Sequence, residues 1–230
     1  LVTGDGMLGD FAAAAGLNVL VGLALAFAFH RYRRELKARD GFLLVTLVWV
    51  MMSAAASVPL MMAIPGLSFT DAYFEAMSGL TTTGSTVLTG LDALPPSVNL
   101  WRSALHWFGG LGIIVLAVAV LPLLGVGGMQ VYKAESPGPV KDEKLTPRIT
   151  QTAKALWLVY TGITAAGAIA LHAAGMTWLD AICHAFSAIG LGGFSTHDSG
   201  IGYYNSAAVE FVLILIMLTA CMNFSRHFMA

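Results

Sequence analysis

The chain has 230 residues, of which 57% are hydrophobic and 11% charged, and its formal net charge is -1. With a mean hydropathy of +0.76 it carries too little polar surface to cover a water-soluble globule of this size. A soluble domain is excluded, no nucleic-acid partner is expected, and the composition implies a polytopic membrane protein whose first partner is the lipid bilayer.

Apolar runs long enough to span a bilayer, roughly 20 residues at 1.5 Å rise each, occupy residues 11–29, 42–64, 103–126, 155–174 and 207–225. Arg31, Arg33, Arg34, Lys37 and Arg39 cluster in one connection, and Lys133, Lys141, Lys144, Arg148 and Lys154 lie in or beside another. The positive-inside rule makes both connections cytoplasmic, which puts the N-terminal end with Asp5 and Asp10 outside. Between those connections lie a long apolar run, a short one and a long one. Only a short segment that enters and leaves on the same side preserves this parity, so the expected pattern is span, re-entrant loop, span. It begins again near Ile149 and returns Arg226 to the cytoplasmic side. Cys183 and Cys221 sit in apolar surroundings and read as buried thiols without a disulfide.

The short segments repeat each other. Asp71, Ala72, Ala76, Ser78 and Gly84 recur as Asp180, Ala181, Ala185, Ser187 and Gly193, each 109 positions later. Ser68 before Asp71, and Thr177 before Asp180, fit the Ser/Thr-x-x-Asp pattern that satisfies amide donors at a helix start. Each cap opens a helix of about a dozen residues, roughly 18 Å or half a bilayer. These end at Thr81 to Gly84 and at Gly190 to Gly193, where glycine permits unusual backbone angles. The helix C-terminus, with its negative dipole end and unpaired carbonyls, would favour a cation. Extended backbone beyond it supplies carbonyl oxygens that can replace the water shell of a monovalent ion. Thr81, Thr82 and Thr83 add hydroxyl oxygens without fixed charge, and the turns hold no Asp or Glu for a divalent site.

Glu75 and His184 are also 109 apart, midway along the short helices. An ionisable group there is costly unless paired or hydrated; two readings stand, proton coupling and hydrogen bonding behind the turn. His106 beside Trp107 reads as a packing or hydrogen-bonding residue. Gly109, Gly110 and Gly112 allow close helix approach. Ser53, Ser57, Gly109 and Gly112 are expected to line a face open to further chain. Enzyme signatures such as His-Glu-x-x-His or Gly-x-Ser-x-Gly do not occur, so no enzymatic activity is expected. The competing class is a sodium- or proton-coupled secondary transporter with broken helices near the midplane. There, however, the break interrupts a full span instead of ending a short segment.

The stretches Ser78-Gly-Leu-Thr-Thr-Thr-Gly-Ser-Thr86, His106-Trp-Phe-Gly-Gly-Leu-Gly112 and Gly192-Gly-Phe-Ser-Thr-His-Asp198 resemble the Trk/Ktr/HKT superfamily of potassium transporters, closest to the bacterial Trk membrane subunit. The resemblance implies an all-α membrane protein of tandem helix, re-entrant pore-loop, helix repeats of the potassium-channel type. It also implies potassium as the transported ion, no organic cofactor, and a location in the bacterial inner membrane. Carried over by position, the filter residues are Thr82, Thr83 and Gly84 in the first repeat and Leu191, Gly192 and Gly193 in the second, with Thr81 and Gly190 at their margins. In the family a glycine at the first filter position accompanies potassium selectivity, and this chain has Gly84. The implied division is an N-terminal helix and basic connection (1–40), a first repeat (41–126), a cytoplasmic linker (127–148) and a second repeat (149–230). Since the family carries four repeats, the chain reads as part of a longer polypeptide. The resemblance further implies a homodimer of full-length subunits and a cytoplasmic nucleotide-binding regulatory ring protein, for which the linker is a candidate dock.

Overall fold

The computed structural model describes residues 4–32, 38–120 and 145–221, and among these all regular structure is helical. The helices are α1 (Leu8–Phe29), α2 (Ala38–Ala63), α3 (Phe69–Leu80), α4 (Pro96–Val120), α5 (Leu145–Ala173), α6 (Trp178–Ile189) and α7 (Ala207–Cys221), with 3-10 turns at Leu91–Ala93 and Gly200–Tyr204. Leu8–Phe29, Leu43–Ala63 and Lys154–Ala173 are each apolar and long enough to cross a membrane. The two short helices have 12 residues each, about 18 Å.

Two boundaries differ from the hydropathy pattern. α4 starts at Pro96, seven residues before the apolar run, because a proline suits the first helical position and because buried partners hold the polar residues Asn99 and Arg102. α5 starts at Leu145, inside the stretch assigned to the linker. Pro147 is tolerated there, since an N–H in the first turn has no intrahelical acceptor anyway. The basic residues Arg33, Arg34, Lys37, Lys133, Lys141 and Lys144, and the end of the second repeat after Cys221, lie outside the described residues.

α3 is packed between α2 and α4, and α6 is packed against α5, α7 and α4. Ala56, Leu60, Ala72, Ala76, Leu80, Val98 and Leu105 form one core among α2, α3 and α4. The second core joins Tyr160 and Leu171 of α5, Ala181, Ala185 and Ile189 of α6, and Val209, Leu213 and Ile216 of α7 to Leu111 of α4. Large apolar side chains cover the outside, among them Leu20 and Phe27 of α1, Leu158 of α5 and Phe211 of α7. In water this surface would be unstable, whereas hydrocarbon tails are a suitable solvent for it.

Three side-chain expectations are corrected. Ser53 and Ser57 line no open face but are fully buried, because each hydroxyl is satisfied by a carbonyl of its own helix, Trp49 at 2.9 Å and Ala54 at 2.7 Å. Cys221 is exposed while Cys183 is buried, and both are free thiols. Of the three glycines on α4, Gly109 and Gly110 sit at crowded contacts, whereas a Cβ on Gly112 would meet nothing closer than Trp49 at 3.7 Å.

Candidate functional site

The site begins at the caps of the short helices. Ser68 Oγ accepts from the Asp71 N–H at 3.1 Å and donates to the Asp71 carboxylate at 2.7 Å. Thr177 repeats this with Asp180 at 3.2 and 2.7 Å. Both helices are therefore started by the residues that the capping pattern singled out.

Both also end alike. Thr82 donates to the Gly79 carbonyl and Thr83 to that of Ser78, at 3.0 and 2.9 Å; Leu191 donates to Ala188 and Gly192 to Ser187, at 3.1 and 2.9 Å. This paired 5→2 and 6→1 closure requires a left-handed residue after the helix cap. That residue is not glycine in either copy: Thr82 and Leu191 both have φ of 55°, while Gly84 and Gly193 follow with φ of 77° and 100°. A non-glycine residue in this region costs of order 1–3 kcal/mol and persists only where its surroundings over-determine it. Glycine does carry unusual angles in both turns, at Gly84 and Gly193, but Thr82 and Leu191 share them, and Gly190 and Gly192 have ordinary φ. The helix-end carbonyls are likewise not all free. Those of Met77, Ser78 and Gly79 accept from the turn, and Thr81 Oγ1 is committed to Met77 O and Thr83 Oγ1, each at 2.8 Å.

The two turns lie against each other. A Cβ on Gly84 would stand 1.8 Å from the Gly192 carbonyl oxygen, and one on Gly192 would stand 2.2 Å from His106 Nδ1. Glycine is required at Gly84 both by this approach and by its φ, whereas Gly193 faces open space and is constrained by φ alone. His106, on α4, stacks on Phe194 at 4.1 Å between ring centres and shares a 3.1 Å hydrogen bond with Ser187 Oγ, which also accepts from the Gly193 N–H at 3.0 Å. A residue of the first repeat thereby supports the turn of the second. A cavity of about 160 Å³ flanks that turn, with His184, Ser187, Gly192 and Gly193 in its lining.

Behind the turns, Glu75 and His184 do equivalent work. The Glu75 carboxylate accepts from Thr86 Oγ1 at 2.9 Å, the Val87 N–H at 3.2 Å and Arg102 Nε at 2.7 Å. His184 Nδ1 meets the Asp180 carbonyl at 2.8 Å and its Nε2 meets Ser195 Oγ at 3.1 Å. Thr86 and Ser195 are themselves 109 apart, so each short helix braces the strand that leaves its own turn. Both groups are engaged in hydrogen bonds, which favours bracing over proton coupling. The Glu75–Arg102 ion pair is fully buried, and it is the part of the site that sequence reasoning missed. The available signal was one acid and one base of opposite sign within or bordering apolar segments, where an unpaired charge is costly.

Outside the turns, the connections of the two repeats are tied together. Asp92 pairs with His197 and accepts from the Asp198 N–H at 3.1 Å, while the Leu91 N–H donates to Asp198 at 3.1 Å. The His197 hydrogen bond, then that from the Asp198 backbone, hold the Asp92 carboxyl below the usual carboxylate range. Among the described residues no three His, Cys, Asp or Glu side chains are grouped to hold a metal ion.

Known proteins resemble this chain in sequence and fold. The family TrkH, described as cation transport protein, matches residues 9–230. The chain is 51% identical over its whole length to the Trk system potassium uptake protein TrkH of Halomonas elongata, and 48% identical over 99% of its length to that of Escherichia coli K12, covering 48% and 47% of those proteins. The crystal structure of the potassium transporter TrkH from Vibrio parahaemolyticus superposes with a TM-score of 0.81 at 45% identity, over 97% of this chain and 44% of that one. The chain spans about half the length of the curated relatives it matches. With its repeated capped half-helices, paired turns and this extent of similarity, the chain belongs to the TrkH family of membrane cation transport proteins.

Proposed function

We propose that this chain supplies two of the walls of a potassium pathway, with the Thr82-Thr83-Gly84 and Leu191-Gly192-Gly193 turns presenting backbone oxygens to the ion. The observation that carries this reading is the backbone itself: two turns 109 residues apart share one conformation, end half-membrane helices, and meet at Gly84 and Gly192. Oxygen ligands without carboxylates suit a monovalent cation that must bind and leave again. Two turns make only part of a ring of ligands, so the activity belongs to the full-length polypeptide. The domain division into repeats at 41–126 and 149–230 is part of the same reading. So are channel-like passage down the gradient, placement in a bacterial inner membrane with several crossings, a dimer of subunits, and control by a cytoplasmic nucleotide-binding ring. A break that ends a short helix, and not one that interrupts a span, favours this over a coupled secondary transporter.

The test is potassium and sodium flux of the full-length protein in a host lacking potassium uptake and in vesicles. Gly84→Ser is expected to lower potassium preference and flux strongly, since its Cβ meets the Gly192 carbonyl. Gly193→Ala is expected to reduce flux less, through backbone strain alone. Unchanged preference and flux in both variants would remove these turns from the ion path.

A further inference from the structure

The guanidinium of Arg102 touches both repeats at the level just beyond their turns. Its Nε donates to Glu75 at 2.7 Å; one terminal nitrogen donates to Asn99 Oδ1 at 3.1 Å and to the Ser195 carbonyl at 3.2 Å; the other donates to Thr86 Oγ1 at 3.2 Å. Its face lies 4.4 Å from the centre of the Phe194 ring. Thr86 is two residues beyond Gly84, and Ser195 is two residues beyond Gly193. One rigid, fully buried group is therefore bonded to the strand leaving each turn. The equivalent position in the second repeat, 109 residues on, is Phe211, which is 61% exposed. The clamp is thus not a property of each repeat but a device of the boundary between these two.

We propose that Arg102, oriented by Glu75, is a positioning residue that sets the spacing between the two ion-facing turns and thereby ion discrimination. The proposal rests on the reading that these turns hold the ion. Its physical basis is the shape of the side chain. A guanidinium presents five donors in a fixed plane, so it can hold Glu75, Thr86 and the Ser195 carbonyl in one geometry. A lysine ammonium keeps the charge but gathers its donors on one rotatable atom and cannot reproduce that span. Coordination by carbonyls is sensitive to their number and placement, so a loosened clamp alters discrimination between ions before it alters the fold.

The experiment compares Arg102→Lys, Thr86→Val and Gly84→Ser in the full-length protein, measuring the potassium-to-sodium flux ratio in vesicles alongside membrane abundance. Arg102→Lys is expected to lower the ratio about tenfold, the loss of one charge-assisted hydrogen bond, with abundance changed less. Thr86→Val keeps the side-chain shape and the ion pair but deletes the hydroxyl that joins Glu75 and Arg102; it is expected to lower the ratio in the same direction by a smaller factor. A wild-type ratio in both variants, with or without reduced abundance, would overturn the proposal and leave Arg102 a structural residue. If the lysine variant does not reach the membrane, Thr86→Val decides alone. An altered ratio in Gly84→Ser with wild-type ratios in the other two sinks only the clamp, whereas an unaltered Gly84→Ser sinks the filter reading beneath it.

Discussion

Gly109 and Gly112 lie one turn apart on α4, yet alanine should have opposite consequences at the two positions. A Cβ on Gly109 would stand 1.9 Å from the Leu80 carbonyl oxygen, 2.8 Å from its carbon and 3.2 Å from its Cα. All three are backbone atoms, so no side chain can rotate out of the way. Restoring ordinary contact requires α3 and α4 to separate by about 1.5 Å at the last residue of α3, immediately before the first turn. Such overpacking costs about 1–3 kcal/mol, and the upper part of that range applies because backbone meets backbone. Gly112→Ala meets only Trp49 at 3.7 Å and gains helix propensity, up to about 1 kcal/mol, so it should be neutral or stabilising. Thermal unfolding of the full-length protein in detergent checks the pair, with Gly109→Ala expected to fall by several degrees, roughly 2–4 °C per kcal/mol at this size or less. Equal melting temperatures for the two variants would refute the close packing of α3 on α4.

Removing the caps gives a second set of outcomes: Ser68→Ala should cost about 1 kcal/mol in the same melting assay. Thr177→Ala should cost more, because its partner Asp180 is buried and also receives a 2.7 Å hydrogen bond from Thr196. Acid should weaken the tie between the outer connections. The Asp92 carboxyl is held below its usual value in the folded protein, so its contribution is present above pH about 4 and is lost as pH falls through the lowered value. The melting temperatures of wild type and Asp92→Asn should accordingly differ at neutral pH and converge in strong acid; a constant difference would refute the link.

What could be read from the residues was whatever is local. The caps and the lengths of the two short helices depend on neighbours a few positions apart, and the repeat of 109 is visible by direct comparison of residues; these survive intact in the structure. Beyond the close approach that Gly109 and Gly110 allow, contacts across helices were not legible. The approach of Gly84 to the Gly192 carbonyl and the reach of Arg102 to Ser195 depend on how the repeats are set against each other, which no spacing encodes. Ser53 and Ser57 misled for a different reason: a hydroxyl that bonds its own helix backbone needs no polar neighbour, so polar composition did not mark an open face. Thr82 and Leu191 were hidden because the left-handed backbone is assigned to glycine by habit, while here the surrounding turn imposes it on a threonine and a leucine.

The position of α4 has a consequence for biogenesis. It completes the first core through Val98 and Leu105 and also carries Trp107 and Leu111 against α5 and α6, so the second half-helix is built on a wall lent by the first repeat. A nascent chain that has emerged only through α3 holds one short helix with a single neighbour, and α6 has no complete berth until both α4 and α7 have entered the bilayer. The two short helices therefore reach their final packing only once the helices on either side of them are in place. A gene fragment cut between the repeats would inherit α6 with α5 and α7 but without the wall that α4 lends it.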